Sequence, residues 1–401
     1  MEPPQGTSAF RIAFVTYEYP PQVYGGAGTY AAAMCTALAS LGVEVHVVTP
    51  AEPGSPDPPG IVRHVVPSGS LRLLRIPRFW WGLKTWWKAI ARRAGGFDAV
   101  VGNGFSVLPL SSRNMSCPLV TVMHQSARDV IRILRPTFLE RLRNINNELG
   151  AAPLFDPVLA RRADHLVAVS AYVKDALVRD LHIPPDKISV IPNGVTDRGT
   201  ALGPEEREVL AAHHAAVGKK ILLFVGRPAD KRKGLAALIE ALPCILENEP
   251  VMLLVAGSGD TNAHRRQAER LGIAHAVRFL GYVSDVELST LYALCDLFVS
   301  SSYYESFGLT LAEAMTAGTP VVARDVGGTA EVVRPGTGIL VRESGPRALA
   351  DAILRALADP SLGAINRTYA LEAFSWEQGA RALYAILGRL IEEKGGASCR
   401  P

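Results

Sequence analysis

Cysteine is scarce and scattered. Cys35, Cys117, Cys244, Cys295 and Cys399 are odd in number and lack C-x-x-C spacing, which suggests neither a disulfide framework nor a zinc site and reads as a reduced, cytosolic chain. No window reaches about 18 uncharged apolar residues, so no spanning helix is expected. The opening Met1-Glu2-Pro3-Pro4-Gln5-Gly6 lacks a basic-then-apolar leader, and secretion is not expected either. A strong excess of one charge sign is missing too: 42 basic against 38 acidic residues leave +4, too weak a bias for a nucleic-acid partner.

At 48% hydrophobic, 20% charged and 7% aromatic, the composition is that of an ordinary globular protein. Its 401 residues suffice for two domains. The small charge excess is uneven, with 21 Lys/Arg against 15 Asp/Glu up to residue 200 and 21 against 23 afterwards. An anionic surface should therefore meet the first half.

Short β-branched runs alternate with longer Ala/Leu-rich amphipathic stretches, the pattern of βαβ units around a buried parallel sheet. The first half offers Arg11 to Thr16, Val43 to Thr49, Ala99 to Val101, Leu119 to Met123, His165 to Val169 and Ile188 to Ile191. The pattern restarts at Lys220 to Val225, Val251 to Ala256, Val277 to Phe279, Leu297 to Ser300 and Pro320 to Ala323. Periodicity lapses from Pro192 to Pro204, and we place the boundary there: residues 1–197, residues 198–374, and a C-terminal helix in 375–401 capped by Ser375 and packing back on the first domain.

Chemistry concentrates in Ser301-Ser302-Tyr303-Tyr304-Glu305-Ser306-Phe307-Gly308-Leu309-Thr310-Leu311-Ala312-Glu313. A strand ends, a helix starts near Gly308, and two carboxylates stand eight residues apart. Eight residues of helix span about 12 Å, roughly the reach from a sugar to a ribose across a diphosphate. Between them the free N–H groups of the helix start suit an anion. Gly226-Arg227-Pro228-Ala229-Asp230-Lys231-Arg232-Lys233-Gly234 follows a strand and precedes a helix, placing its cations where open α/β sheets bind ligands.

In the first βα loop, Tyr17 to Gly28, glycines let backbone approach a phosphate. Gly26-x-Gly28-x-x-Ala31 also fits a dinucleotide fingerprint, but some nine residues separate it from the strand end at Thr16, where the fingerprint needs almost none. His124, at a strand end, is either a substrate contact or a structural histidine.

The Glu305-to-Glu313 spacing resembles the E-x7-E motif of retaining GT-B glycosyltransferases. Phe307-Gly308 and Gly318-Thr319-Pro320-Val321-Val322-Ala323 strengthen the match to family 4. The family's G-R-x5-K-G element is similar to Gly226 through Gly234, its E-x-P-P…G-G-x-G loop to the stretch from Glu18 to Gly28, and its Gly-Gly-x-x-Glu end to Gly328 and Glu331. The resemblance implies two Rossmann-like doubly wound parallel-sheet domains facing a central cleft. It also implies that Arg227 and Lys233 hold the donor diphosphate, that Glu305 meets the sugar, that Glu313 meets the ribose, and that His124 lies near the transferred sugar. Gly26, Gly28, Gly226, Tyr282, Phe307, Gly308 and Leu309 complete the donor contacts; Lys231 and Arg232 find no match and are expected to face solvent.

The expected activity is transfer from a nucleoside-diphosphate sugar, UDP-sugar first, to a small-molecule, glycan or lipid-linked acceptor hydroxyl. With no DxD-type carboxylate pair and with cations already at the phosphate, no metal and no cofactor are expected. A 2-epimerase-like enzyme of the same fold and a silent sugar-nucleotide-binding module are the alternatives. The first needs acid and base groups beside the sugar, and the second would be expected to lose Glu305, Arg227 or Lys233.

Residues 72–93 stand apart. They hold Trp80, Trp81, Trp86 and Trp87, four of the five tryptophans, among seven basic residues and no acid. Two readings stay open: a helix whose rings pack inward, or an interfacial segment resting peripherally on an anionic membrane face.

Overall fold

The computed structural model describes residues 10–23, 25–54, 56–69, 74–135, 152–396 and 398–399. Tyr24 and Arg72 lie outside the described residues. The chain divides into two compact units, Met1–Gly194 with Ser375–Pro401, and Val195–Phe374.

The first unit carries seven parallel strands: β1 (Arg11–Val15), β2 (Glu44–Thr49), β3 (Ile61–Val65), β4 (Ala99–Asn103), β5 (Leu119–Met123), β6 (His165–Ala168) and β7 (Ile188–Val190), in the order β3-β2-β1-β4-β5-β6-β7. Its crossovers include α1 (Gly26–Ser40), α2 (Arg75–Ala94), α3 (Ala127–Leu134), α4 (Ala152–Arg162) and α5 (Ala171–Leu181). Strands β4 and β5 are buried throughout, as both faces of a parallel sheet are covered. Helix α2 turns Phe79, Leu83 and Ile90 into the core, each contributing about 1.5–3 kcal/mol of apolar burial, and ends at Gly95 in the left-handed region.

The second unit holds six parallel strands: β8 (Lys220–Val225), β9 (Val251–Ala256), β10 (Val277–Gly281), β11 (Leu297–Ser300), β12 (Val321–Arg324) and β13 (Gly338–Val341), in the order β10-β9-β8-β11-β12-β13. Around them lie α6 (Pro204–His213), α7 (Leu235–Leu246), α8 (Asn262–Arg270), α9 (Asp285–Leu294), α10 (Leu309–Thr316), α11 (Thr329–Val332), α12 (Pro346–Ala358) and α13 (Asn366–Ala373). Helix α9 starts with a complete capping box, Ser284 with Glu287.

The last helix, α14 (Trp376–Glu393), belongs to the first unit, with Ser375 Oγ accepting from Gln378 N as its cap. Tyr384 stacks on Phe10 at 4.8 Å, and Lys394 pairs with Asp164 at 2.9 Å. Beyond it the chain bridges Cys399 to Phe97 and bonds Cys399 Sγ to Cys117 Sγ. That disulfide corrects the expectation of reduced thiols throughout: the partners are 282 positions apart, so no local spacing announces them.

Two strands escape the sequence pattern. β3 (Ile61–Val65) and β13 (Gly338–Val341) each close their sheet at one edge; in β3, Arg63 and His64 interrupt the continuous apolar run that marks inner strands, whereas β13, Gly-Ile-Leu-Val, keeps such a run.

Candidate functional site

In the second unit, chemistry gathers at the C-terminal edge of the sheet. Gly234 has φ +68°, and a Cβ there would lie 2.1 Å from Ser301 O, so only glycine lets the loop after β8 close against the end of β11. The closure delivers Lys233 Nζ to Glu305 Oε1 at 2.7 Å. Ser302 Oγ donates to the same oxygen, also at 2.7 Å. The main chain of Glu305 is clamped as well. Gly328 N donates to Glu305 O at 2.8 Å, and a Cβ at Gly327 would lie 1.8 Å from that oxygen.

Arg227 is more than half exposed and leans on Asp230 at 3.3 Å. Arg232, expected to face solvent, does not: its side chain is largely covered and its guanidinium bonds Asp230 at 2.8 Å. Burial pushes the Asp230 carboxyl up, but the hydrogen bonds and charges of Arg232, with the charge of Arg227, bring it net below its ordinary value. Gly226 ends β8 beside the Lys233 stem.

Helix α10 starts after Gly308, whose φ of +103° breaks the chain direction. Phe307 is buried edge-on against Phe374 at 5.3 Å, and Leu309 opens the helix. Glu313, one turn further in, is only 5% exposed. Arg198 reaches its Oε1 at 3.2 Å, and the buried Tyr292 hydroxyl donates to its Oε2 at 3.3 Å. Burial pushes the Glu313 carboxyl above its ordinary value, opposed by Arg198 and Tyr292. Arg198 also pairs with Asp285 at 3.0 Å. Tyr282, just past β10, is 80% exposed.

In the first unit, Gly26 opens α1 with free space around it. Gly28 is buried, and a Cβ there would press on Val23 and Glu18 at 3.0 and 3.1 Å. The residues after β1 thus form a loop folded onto α1, not the immediate strand-to-helix turn of a dinucleotide site. At the end of β5, His124 Nε2 meets Asn103 Oδ1 at 2.5 Å, and Tyr30 packs edge-on against its ring at 5.1 Å. Protein surrounds the ring although the residue keeps partial exposure, and this desolvation pulls the imidazole down to about 4.

The structure thus brings Lys233 and Glu305 into contact, sets Glu313 in a separate buried cluster, and aims Arg227 at Asp230. Sequence reading missed Ser302, Arg198, Tyr292 and Asn103. Ser302 stands three residues before Glu305 and was open to the same motif; the others carry no local signal. A cavity of about 510 Å³ lined by Arg207, Lys219, Lys220 and Asp296 lies at the N-terminal end of β8, at the opposite end of that strand from Lys233.

The Glycosyl transferases group 1 model matches residues 206–372, and the Glycosyltransferase Family 4 model matches residues 24–198. A D-inositol 3-phosphate glycosyltransferase of Streptomyces scabiei is 32% identical over 393 residues, covering 89% of this chain and 85% of the relative. Among solved structures, the sucrose-phosphate synthase of Thermosynechococcus elongatus superposes with a TM-score of 0.77 at 24% identity, over 96% of this chain and 100% of that one. HepE of Anabaena, in complex with UDP-glucose, gives 0.71 at 20% identity over 95% and 100%. With both halves matched and a relative aligned across most of its length, the chain belongs to the family 4, group 1 glycosyltransferases and is a glycosyltransferase of GT-B type.

Proposed function

We propose that this glycosyltransferase moves a sugar, with retention at the anomeric carbon, from a nucleoside-diphosphate sugar to an acceptor hydroxyl. The observation that carries the reading is the Lys233–Glu305 pair at 2.7 Å. The two groups neutralise one another. A diphosphate oxygen competes for Lys233 and leaves the Glu305 carboxylate, with Ser302 still on Oε1, able to accept from the sugar's hydroxyls. Departure of the nucleoside diphosphate builds negative charge on phosphate as the sugar becomes oxocarbenium-like, so preorganised cations and N–H dipoles supply the main catalytic effect. Lys233, Arg227 and the start of α10 are those groups, and the leaving phosphate takes the acceptor's proton. Two cations at the phosphate make a metal unnecessary. HepE, solved with UDP-glucose, supports UDP as the first nucleoside diphosphate to test.

Calorimetric titration of variants tests the assignment. Glu313→Ala weakens UDP itself, because a ribose partner is lost; Glu305→Gln keeps UDP but loses transfer. Equal loss of UDP and UDP-sugar in Glu305→Gln refutes its sugar contact. A glycosylated product, not an epimer, must appear with the wild type.

On the acceptor side, we assign the outer face of α2 to an anionic bilayer. Trp80 and Trp87 pack inward, the Trp80 indole donating to Phe105 O at 3.0 Å and Trp87 lying against Phe97. Trp81 and Trp86 do not: they are 68% and 44% exposed. Arg78, Lys84, Lys88, Arg92 and Arg93 are exposed on the same helix, which has no acid. Among the described residues no helix is long and apolar enough to cross a membrane. Each basic residue near such a surface contributes about 1 kcal/mol, giving salt-sensitive binding. Sedimentation with phosphatidylserine vesicles at low salt, but not with neutral vesicles or at high salt, is expected; no binding at low salt refutes it.

A further inference from the structure

His124 is the one candidate whose chemistry depends on which ring nitrogen carries the proton, and its neighbours decide that. Asn103, the last residue of β4, is 6% exposed, and its amide is fully engaged. Nδ2 donates to Thr16 Oγ1 and to Ala27 O, each at 3.0 Å. Thr16 Oγ1 spends its own proton on Glu18 O at 2.8 Å, so toward Asn103 it can only accept. Ala27 O is a carbonyl and also only accepts. Turning the amide over would set Oδ1 against these acceptors, which fixes the orientation: Oδ1 faces His124.

An amide oxygen accepts and does not donate. The nitrogen that meets it, Nε2 at 2.5 Å, therefore bears the ring proton. Nδ1 is left with a lone pair, and no hydrogen bond to it occurs among the described residues. We infer that Thr16 and Asn103 are positioning residues that lock His124 as the neutral Nε2–H tautomer, so that its Nδ1 accepts a hydrogen bond from a carbohydrate hydroxyl.

Desolvation alone perturbs the ring, with no charged side chain contributing, so it stays neutral above about pH 5. A neutral acceptor cannot act as an acid toward the substrate. The histidine thus reads the presence of a hydroxyl instead of moving a proton. The tautomer assignment is independent of the proposed transfer reaction; the hydroxyl assignment rests on it.

The two halves are tested separately. Histidine-selective ¹⁵N labelling of the full chain, with His124 identified by comparison with His124→Gln, reports the tautomer directly. An Nε2–H signal unchanged from pH 8 to pH 6 is expected; an Nδ1–H tautomer or an imidazolium at pH 7 overturns the inference, whatever the enzyme transfers.

Asn103→Asp is the second arm, because a carboxylate there favours the imidazolium and protonates Nδ1. Its kcat/KM falls about threefold to tenfold at pH 7, the worth of one hydrogen bond, and recovers as pH rises. The substrate whose KM rises, donor or acceptor, owns the hydroxyl. If Asn103→Asp shows the imidazolium signal yet keeps both KM values and kcat, the hydroxyl contact is refuted. Should that variant fail to fold, Thr16→Val tests the same relay: it removes one of the two acceptors that hold the Asn103 amide, the His124 Nε2–H signal is expected to weaken toward a mixture of tautomers, and a signal identical to that of the wild type shows that Thr16 does not position the ring.

Discussion

Replacing Arg198 by Met asks whether the carboxylate of Glu313 is held ionised by a partner. Glu313 is 5% exposed, and its oxygens are shared between Arg198 at 3.2 Å and Tyr292 at 3.3 Å. The arginine side chain is itself about nine-tenths covered, bridging Glu313 and Asp285. Removing one member of a buried pair leaves an uncompensated charge, which costs about 3–5 kcal/mol. For a unit of this size that lowers the thermal midpoint by about 6–20 °C.

The loss carries a pH signature. Burial already raises Glu313 in the folded chain, so between its unfolded value and the raised one the folded state binds the extra proton and stability falls as pH rises. Without Arg198 that window widens upward. The double variant Arg198→Met/Glu313→Gln removes the buried charge and is expected to recover at least half of the lost midpoint by differential scanning calorimetry. If the single and double variants melt together at pH 7 and pH 5, the two side chains are uncoupled and the reasoning fails.

Lys233→Ala and Arg227→Ala should each lower turnover by roughly two to three orders of magnitude in a product assay, as loss of a charge-stabilising donor does; near-normal turnover removes that residue from the site. Transfer should persist in EDTA, and abolition by chelator with rescue by magnesium or manganese overturns the metal-free reading. His64 lies 2.8 Å from His46, and burial together with the charges of His46 and Arg93 pulls it down to about 4. The unfolded chain therefore takes the proton first as pH falls below about 6.5, and stability present above that value is lost between about 6.5 and 4. His64→Gln should flatten this acid limb of the melting curve; an unchanged slope shows that His64 carries no linkage.

The inner strands were legible because burial on both faces of a parallel sheet forces continuous apolar runs. Leu119–Met123, Lys220–Val225 and Val251–Ala256 match residue for residue. Edge strands obey a weaker rule: β3 carries Arg63 and His64, whose side chains find partners in Asp57 and in His46 of the adjoining β2, so polar residues are accommodated there. The two tryptophan readings divide for a related reason. Composition puts four rings on one helix, but only the helical phase tells which pair, Trp80 with Trp87, turns to the core.

The site divides along the same line between local and distant information. Glu305, Gly308 and Glu313 form a contiguous pattern, since a strand end, a helix start and one helical face determine them together. What acts on them does not: Arg198 is 115 positions from Glu313, Lys233 is 72 from Glu305, and Asn103 is 21 from His124. Lys233 was still found because its own loop has a recurring shape set by Gly226 and Gly234. Arg198 sits where the periodicity lapses, and Asn103 ends an otherwise apolar strand, so neither residue type stands out in its neighbourhood. Motifs disclose groups that meet substrate, because a ligand's spacing is imposed on adjacent residues. The groups that set their charge and tautomer answer only to the fold: the amide on His124 becomes visible once the ends of β4 and β5 stand side by side, and the ion pair on Glu313 once the segment before Pro204 lies against α10.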